Sequence, residues 1–241
     1  MLPHASFVYY GDTRHAPYGD KSQSTIVEYS RRITQFLIEN NCKAVVIACN
    51  TASAMAYEEL LRLFPGTLLM NVVDPVVESL RASNLQKIGV IATRATIHSQ
   101  IYASRLMAIN PSVKVVSKAT PLLAPLVEEG FANTDISRGV LKKYLSEDSF
   151  QNLDALILGC THYPLLQDDI KHCFEQRLDI IDSPNLVAHG LQQLLKTNGL
   201  LNESGDAQYH FYFSEKTPSF DQISAMFFGE TLRLTEKVLR A

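Results

Sequence analysis

The sequence has no apolar run that approaches the roughly 18 to 20 residues needed for a membrane-spanning helix. Its first residues, MLPHASFVYY, contain neither the basic segment nor the long apolar segment of a signal peptide. It has only 4 cysteines in 241 residues, and because none lies in a CxxC pair, neither a disulfide framework nor a zinc site is indicated. We therefore expect a cytoplasmic protein with free thiols that does not enter a membrane.

The sequence also has no large excess of charge of one sign. It contains 22 Lys and Arg residues and 25 Asp and Glu residues, which gives a net charge of −3. No strong field draws such a chain to nucleic acid or to an anionic membrane, so small molecules or proteins are the expected partners. Hydrophobic residues make up 46% and charged residues 20%, which is the usage of a globular protein and excludes a disordered or fibrous one.

Short β-branched runs alternate along the chain with longer segments of helical period. This alternation predicts an α/β fold of mainly parallel sheets with flanking helices, whose strands are buried on both faces. Near the end of the chain, the alternating QYHFYFS predicts a late edge strand. The other predicted strands cover residues 7–10, 44–48, 67–73, 88–92, 113–116, 155–158 and 178–181, and the predicted helices cover residues 24–40, 52–63, 96–109 and 183–196.

Two strand ends resemble each other, because AVVIACNTASA ends its apolar run at Cys49 and ALILGCTHYPLL ends its apolar run at Cys160. The two cysteines are separated by about the length of one small domain. This separation predicts two similar α/β halves, each of which places one thiol at a strand end facing a shared cleft.

A single cysteine at a strand end is more often buried for packing than used in catalysis. A matched pair changes that balance, because both cysteines directly precede a helix start, where backbone N–H groups are expected to lower the pKa of a thiol. A metal site would need more ligands, and a redox pair would ordinarily be close in sequence. Acid–base chemistry remains, in which one thiolate removes a proton from a carbon and the other thiol donates one from the opposite face, which racemises that carbon.

Further polar residues lie at the same predicted strand ends. Asp12 ends an earlier strand and His162 directly follows the second cysteine, so both are candidates to hold a thiol and tune its proton affinity. Asn50, Thr51 and Thr161 lie at predicted helix N-termini. There they would offer uncharged hydrogen-bond donors suited to a carboxylate.

Five segments, YYGDTRHAPYGDKS, ACNTASA, TRATIHSQIY, TPLLAPLVEEG and LILGCTHYPLL, resemble the signature segments of the bacterial glutamate racemases, in the family order. The resemblance covers nearly the whole chain. It implies a cofactor-independent and metal-independent racemase that interconverts L- and D-glutamate and supplies D-glutamate for peptidoglycan. It also implies two α/β domains with the active site between them, the first formed by residues 1–72 and 183–241 and the second by residues 73–182, and it is compatible with a homodimer.

The resemblance further implies roles for individual residues. The two cysteines are the proton carriers, and an aspartate, a histidine and a glutamate assist them. The glutamate is one of the adjacent pair Glu128 and Glu129, of which we take Glu128. The implied catalytic residues are Cys49, Cys160, Asp12, His162 and Glu128, and the implied substrate-binding residues are Asp12, Pro17, Tyr18, Gly19, Asn50, Thr51, Thr161 and His162.

The chain departs from the family form in two places. Residues 119–121 read Ala-Thr-Pro where the family more commonly has Ala-Cys-Pro, at a position that is not a proton carrier. The family's first strand and its Asp-Ser-Gly turn have no counterpart in the sequence, and we expect roughly 20 to 30 residues upstream of Met1 to supply them. Without them weak activity or insolubility is expected, and Asp74 or Asp182 would be the first residues to test in place of the missing acid.

Two alternatives remain open at this point. A racemase for aspartate or another amino acid would be distinguished by substrate profiling with both enantiomers. A truncated, non-catalytic binding paralogue would hold an amino acid or a partner without racemising it. The presence of both Cys49 and Cys160 argues against this second alternative.

Overall fold

The structure is a computed structural model that describes residues 1–216 and 234–239. None of the helices in this part of the chain is both long enough and apolar enough to cross a membrane. The strands are β1 (Phe7–Gly11), β2 (Ala44–Ile47), β3 (Leu68–Asn71), β4 (Lys87–Ala92), β5 (Lys114–Ala119), β6 (Ala155–Gly159), β7 (Asp179–Ile181), β8 (Tyr209–Phe213) and β9 (Leu234–Glu236). The α-helices are α1 (Gln23–Glu39), α2 (Asn50–Leu63), α3 (Asp74–Ser79), α4 (Arg94–His98), α5 (Ile101–Ile109), α6 (Leu123–Glu128), α7 (Asp135–Leu145), α8 (Gln167–Cys173) and α9 (Ser183–Thr197).

Residue contacts divide the chain into two compact units. The first unit comprises Met1–Val45, Glu58–Met70 and Ala188–Ala241, and the second comprises Val46–Tyr57 and Asn71–Val187. This division assigns Val46–Tyr57, which contains Cys49, to the second unit, whereas the predicted boundaries place that segment in the first domain. The end of the predicted first domain includes residues 217–233 and 240–241, which lie outside the described residues. The predicted domain boundaries therefore stay a prediction.

The second unit is built on a parallel sheet with the strand order β5-β4-β6-β7. Its central strands are apolar and buried, and Val90 of β4 and Ile157 of β6 belong to a core that also contains residues of α3 and α5. The register pairs Ala92 at the end of β4 with Ala119 of β5 and with Gly159 of β6. Because these strands end level with one another, the loops that follow them lie at one edge of the sheet.

The first unit contains a parallel sheet with the strand order β1-β8-β9. The prediction that QYHFYFS forms an edge strand is wrong, because β8 pairs with β1 on one side and β9 on the other. The prediction that β1 is buried on both faces is also wrong, since Phe7 is 39% exposed and Tyr9 is 43% exposed. Their rings lie beside those of the neighbouring strand, Phe7 at 6.2 Å from Tyr209 and Tyr9 at 6.1 Å from Phe211. Aromatic pairs of this kind stabilise adjacent strands even at a solvent-exposed face.

The helix predicted over residues 96–109 is two helices, α4 and α5. Gln100 separates them in the left-handed conformation, with φ of 55°, which interrupts the helical backbone. Thr93 begins α4, because its side chain accepts a hydrogen bond from the backbone N–H of Thr96 at 3.3 Å. The apolar period continues across the break, so the sequence pattern does not reveal it.

Candidate active site

Cys49 occupies the turn between β2 and α2. Its carbonyl oxygen accepts from the backbone N–H of Ser53 at 2.8 Å, and its sulfur accepts hydrogen bonds from Thr51 and from the backbone of Ala52. The sulfur therefore caps the start of α2. These hydrogen bonds favour the thiolate, but burial outweighs them and raises the pKa of Cys49.

Cys160 occupies the corresponding turn after β6 and is 8% exposed. The pKa of Cys160 is raised to about 12, chiefly by burial and in smaller part by Cys49 and Glu128, while the backbone N–H of His162 lowers it. As predicted, backbone N–H groups lower the pKa of each thiol, but burial raises it by more. The net shift is therefore upward and not downward, because a buried thiolate loses its hydration.

His162 lies between Cys160 and Glu128. Its Nδ1 is 3.7 Å from the sulfur of Cys160, and its Nε2 is 2.9 Å from Oε1 of Glu128. Glu128 ends α6 and faces His162, whereas the adjacent Glu129 is exposed. Because a carboxylate can only accept, Nε2 carries the hydrogen of that bond, and a neutral ring then presents the lone pair of Nδ1 to the thiol. The arrangement can take a proton from Cys160 and stabilise the imidazolium that results.

Two further predicted residues, Asn50 and Thr51, begin α2 and are buried. Oδ1 of Asn50 accepts a hydrogen bond from the hydroxyl of Tyr102 at 2.7 Å. The hydroxyl of Thr51 lies 2.8 Å from that of Thr93 and 3.3 Å from that of Thr96. Thr161 is exposed beside the second cysteine. The second unit thus brings together the predicted residues Cys49, Asn50, Thr51, Glu128, Cys160, Thr161 and His162.

Asp12 belongs to a separate cluster in the first unit. Its carboxylate accepts from the hydroxyl of Tyr18 at 2.6 Å and from the hydroxyl of Ser214 at 2.9 Å. Nδ1 of His15 lies 2.8 Å and 3.0 Å from its two oxygens, and the His15 ring stacks on Tyr29 at 4.0 Å. Both oxygens of this carboxylate are engaged by the protein, so Asp12 holds the loop that follows β1.

That loop carries Pro17, Tyr18 and Gly19. The Ala16–Pro17 peptide bond is cis, and Pro17 is exposed while Tyr18 and Gly19 are half-buried. The carbonyl of Tyr18 accepts from the backbone N–H of Lys21 at 3.1 Å, which closes a turn before α1. The three predicted substrate-binding residues are therefore positioned through Tyr18 and its hydrogen bond to the Asp12 carboxylate.

The two aspartates named as substitutes for the missing acid are engaged locally. Oδ2 of Asp74 accepts from the side chain of Asn71 at 2.7 Å, and Arg105 lies 3.6 Å from its other oxygen. Asp182 accepts from both the backbone and the side chain of Asn185, at 3.1 Å and 2.6 Å. Asp182 caps the start of α9, as aspartate commonly does, whereas Asp74 holds the side chain of Asn71, whose Oδ1 accepts from the backbone N–H groups at the start of α3.

Several residues that contact predicted residues within the same unit are not singled out by the sequence. Thr93, Thr96 and Tyr102 lie within TRATIHSQIY, a segment that resembles a family signature but implies no role for these residues. Ser214 ends QYHFYFS, and nothing in the sequence connects it with Asp12. In the described part of the chain, no three His, Cys, Asp or Glu side chains are grouped as metal ligands would be.

Comparison with known proteins identifies the family. The family described as Asp/Glu/Hydantoin racemase matches residues 2–189. The chain belongs to this family. A glutamate racemase of Aquifex aeolicus is 40% identical over 98% of this chain and 90% of that protein. The crystal structure of a glutamate racemase of Francisella tularensis in complex with D-glutamate has 35% identity and a TM-score of 0.93, and covers 99% of this chain and 90% of that chain.

A further solved member, a glutamate racemase isoform of Bacillus anthracis, has 31% identity and a TM-score of 0.93 over 99% of this chain and 90% of that chain. The α/β fold with mainly parallel sheets is therefore confirmed, as is the resemblance to the glutamate racemases. The chain is an amino-acid racemase, which is an isomerase.

Proposed function

We propose that this racemase interconverts L-glutamate and D-glutamate without a cofactor, with Cys49 and Cys160 as its two proton carriers. The observation that carries the proposal is the series of contacts from Cys160 through His162 to Glu128. It links a buried thiol to a base and links that base to a carboxylate, which is the arrangement that activates a weak nucleophile or base. The glutamate racemases among its relatives support glutamate as the substrate.

The first step is the formation of a thiolate. Nδ1 of His162 takes the proton of Cys160, and the carboxylate of Glu128 stabilises the imidazolium through Nε2. The Cys160 thiolate then takes the Cα proton of one enantiomer and becomes a thiol again. The Cys49 thiol donates its proton to the opposite face of the planar carbanion, which completes the inversion. The Cys49 thiolate regains a proton from solvent, and His162 returns one to solvent.

The reverse reaction begins at Cys49. The hydrogen bonds from Thr51 and from the backbone of Ala52 stabilise its thiolate at the start of α2. Asp12 assists this half of the reaction by holding the loop of Tyr18, whose hydroxyl it binds. The two half-reactions thus use different groups for the two faces of the substrate.

In this proposal, uncharged hydrogen-bond donors and the loop after β1 bind the substrate. Asn50, Thr51 and Thr161 supply amide and hydroxyl donors for the carboxylates of glutamate. Pro17, Tyr18 and Gly19 supply the loop that the Asp12 cluster holds. The expected setting is the cytoplasm, where D-glutamate enters peptidoglycan, and neither nucleic acid nor a membrane is expected as a partner.

Substrate profiling tests this function. The purified chain is incubated with each enantiomer of glutamate, aspartate and alanine, and the product is resolved on a chiral column, with and without a chelator. We expect glutamate to be racemised in both directions and faster than aspartate or alanine, however slow the turnover, and we expect no loss with the chelator. Faster racemisation of aspartate than of glutamate would show that aspartate is the substrate. Binding of glutamate without racemisation would show that the chain is a binding protein and not an enzyme.

A further inference from the structure

Tyr102 lies between the two turns that carry the cysteines. It belongs to the first turn of α5 and is only 3% exposed. Its hydroxyl donates to Oδ1 of Asn50, the residue after Cys49, at 2.7 Å. Its ring occupies the space that a side chain before Cys160 would need, because a Cβ built on Gly159 would lie 3.2 Å from Cε2 of Tyr102. One buried side chain therefore reaches both turns.

The side-chain amide of Asn50 is only half satisfied by the protein. The residue is 7% exposed, and its oxygen is taken by Tyr102. Within residues 1–216 and 234–239, no group accepts a hydrogen bond from its amide nitrogen. Buried polar groups are nearly always paired, so an unpaired donor beside a proton carrier indicates an acceptor brought by the substrate. A carboxylate is such an acceptor.

We propose that Tyr102 is a positioning residue for substrate binding, whose hydroxyl fixes the amide of Asn50 with its nitrogen directed at a substrate carboxylate. The inference rests on the proposed function, in which Asn50 binds glutamate. Without that hydroxyl, rotation of the amide by half a turn could direct its oxygen at the carboxylate, and two acceptors repel each other. The Tyr102 hydroxyl removes that alternative.

The protonation of Tyr102 supports this role. Burial raises the pKa of Tyr102, and the nearby Cys160 and Asp74 raise it further. The hydroxyl therefore keeps its proton across the neutral range and acts as a donor toward Oδ1 of Asn50. A phenylalanine at this position would keep the ring against Gly159 and lose only that donor.

The experiment measures KM and kcat for both enantiomers of glutamate in Tyr102→Phe, Asn50→Ala and the double variant. We expect Tyr102→Phe to raise KM roughly tenfold, the usual effect of one lost hydrogen bond to a binding group, with kcat within about twofold of the parent. In the Asn50→Ala background, Tyr102→Phe should raise KM no further, because its effect passes through Asn50. The matched control is Tyr144→Phe, which removes a hydroxyl 3.4 Å from the backbone N–H of Leu122 and should leave KM unchanged.

The outcomes separate the inference from the function on which it rests. A Tyr102→Phe variant that melts earlier but keeps the parental KM would show a purely structural role and overturn the inference. If Asn50→Ala raises KM and Tyr102→Phe does not, the inference fails while the proposed function stands. If Asn50→Ala leaves KM unchanged, the proposed binding role of Asn50 fails as well.

Discussion

Nε2 of His162 lies 2.9 Å from Oε1 of Glu128, and this pair distinguishes two adjacent glutamates that the sequence alone does not. Glu128 ends α6 on the side that faces His162, and Glu129, one residue later, is exposed. A carboxylate at this position holds the imidazole with its Nδ1 toward the sulfur of Cys160. In the proposed mechanism, Glu128 therefore acts on Cys160 through His162.

Replacing Glu128 by Gln should slow proton removal by Cys160. We expect kcat/KM to fall about 10- to 100-fold, equally for both enantiomers, because the equilibrium constant of racemisation is one. The primary isotope effect of Cα-deuterated glutamate should rise for the enantiomer whose proton Cys160 removes. Glu129→Gln is the matched control. An equal loss in both variants would show that Glu128 has no specific role.

The Asp12 cluster predicts a graded series of effects on substrate binding. Ser214→Ala removes one of the hydroxyl donors to Asp12, and Asp12→Asn removes the charge that Tyr18, His15 and Ser214 share. We expect KM for glutamate to rise about tenfold in Ser214→Ala, the lower end of the roughly 1.5–3 kcal/mol that a lost hydrogen bond to a charged group costs, and more in Asp12→Asn. Asp206→Asn, at an exposed position of the same unit, is the control, and a larger effect of Ser214→Ala than of Asp12→Asn would contradict this order.

The raised thiol pKa values predict slow alkylation at neutral pH. Only the thiolate reacts, so iodoacetamide should modify Cys49 and Cys160 far more slowly at pH 7 than it modifies N-acetylcysteine. Between pH 7 and pH 10 the rate at Cys160 should rise about tenfold for each pH unit, while the rate of the free thiol levels off above its pKa of about 8.5. Peptide mapping by mass spectrometry gives the rate at each cysteine. A rate at Cys160 that levels off below pH 9 would contradict the direction of its pKa shift.

A stability effect is expected at the position where the chain departs from the family form. Thr120 and Tyr163 are fully buried, with their hydroxyls 2.8 Å apart, and Tyr163 also donates to the carbonyl of Thr120 at 2.9 Å. Thr120→Val should cost about 1 kcal/mol and Tyr163→Phe about 1–3 kcal/mol, because Tyr163→Phe removes both bonds. Thermal unfolding should show midpoints lower by about 2–4 °C per kcal/mol. The control Tyr144→Phe should unfold at the parental midpoint, and an unchanged midpoint for Tyr163→Phe would show that the buried bonds contribute nothing.

The sequence predicts the elements well where a local period decides them. The buried strands β4 and β6 and the helix α1 follow from apolar runs and spacing alone, because each residue's environment repeats along its own segment. The central place of β8 could not be predicted, since its partner β1 lies at the other end of the chain. The sequence also does not predict the left-handed conformation of Gln100, because the apolar period continues through that residue.

In the candidate site, too, local motifs predict individual residues, whereas contacts between distant residues are not predicted. Cys49, Cys160 and His162 were predicted because a repeated motif marks them, and the family resemblance adds Glu128. The hydrogen bond between Asp12 and Ser214 joins residues 202 positions apart, so no local sequence pattern predicts it. The sequence predicts the backbone N–H groups that lower the thiol pKa values but not the larger, opposite effect of burial, because burial is produced by distant segments.

The central claim, that two thiols serve two opposite faces of the substrate, is tested most directly by Cα hydrogen exchange in deuterated water. Cys49→Ser and Cys160→Ser should each lose racemisation, because the remaining thiol has no partner across the carbon. Each variant should still exchange the Cα hydrogen of one enantiomer of glutamate faster than that of the other, and the favoured enantiomer should be opposite in the two variants. Near-parental racemisation by either variant, or exchange of the same enantiomer by both, would contradict the two-thiol mechanism.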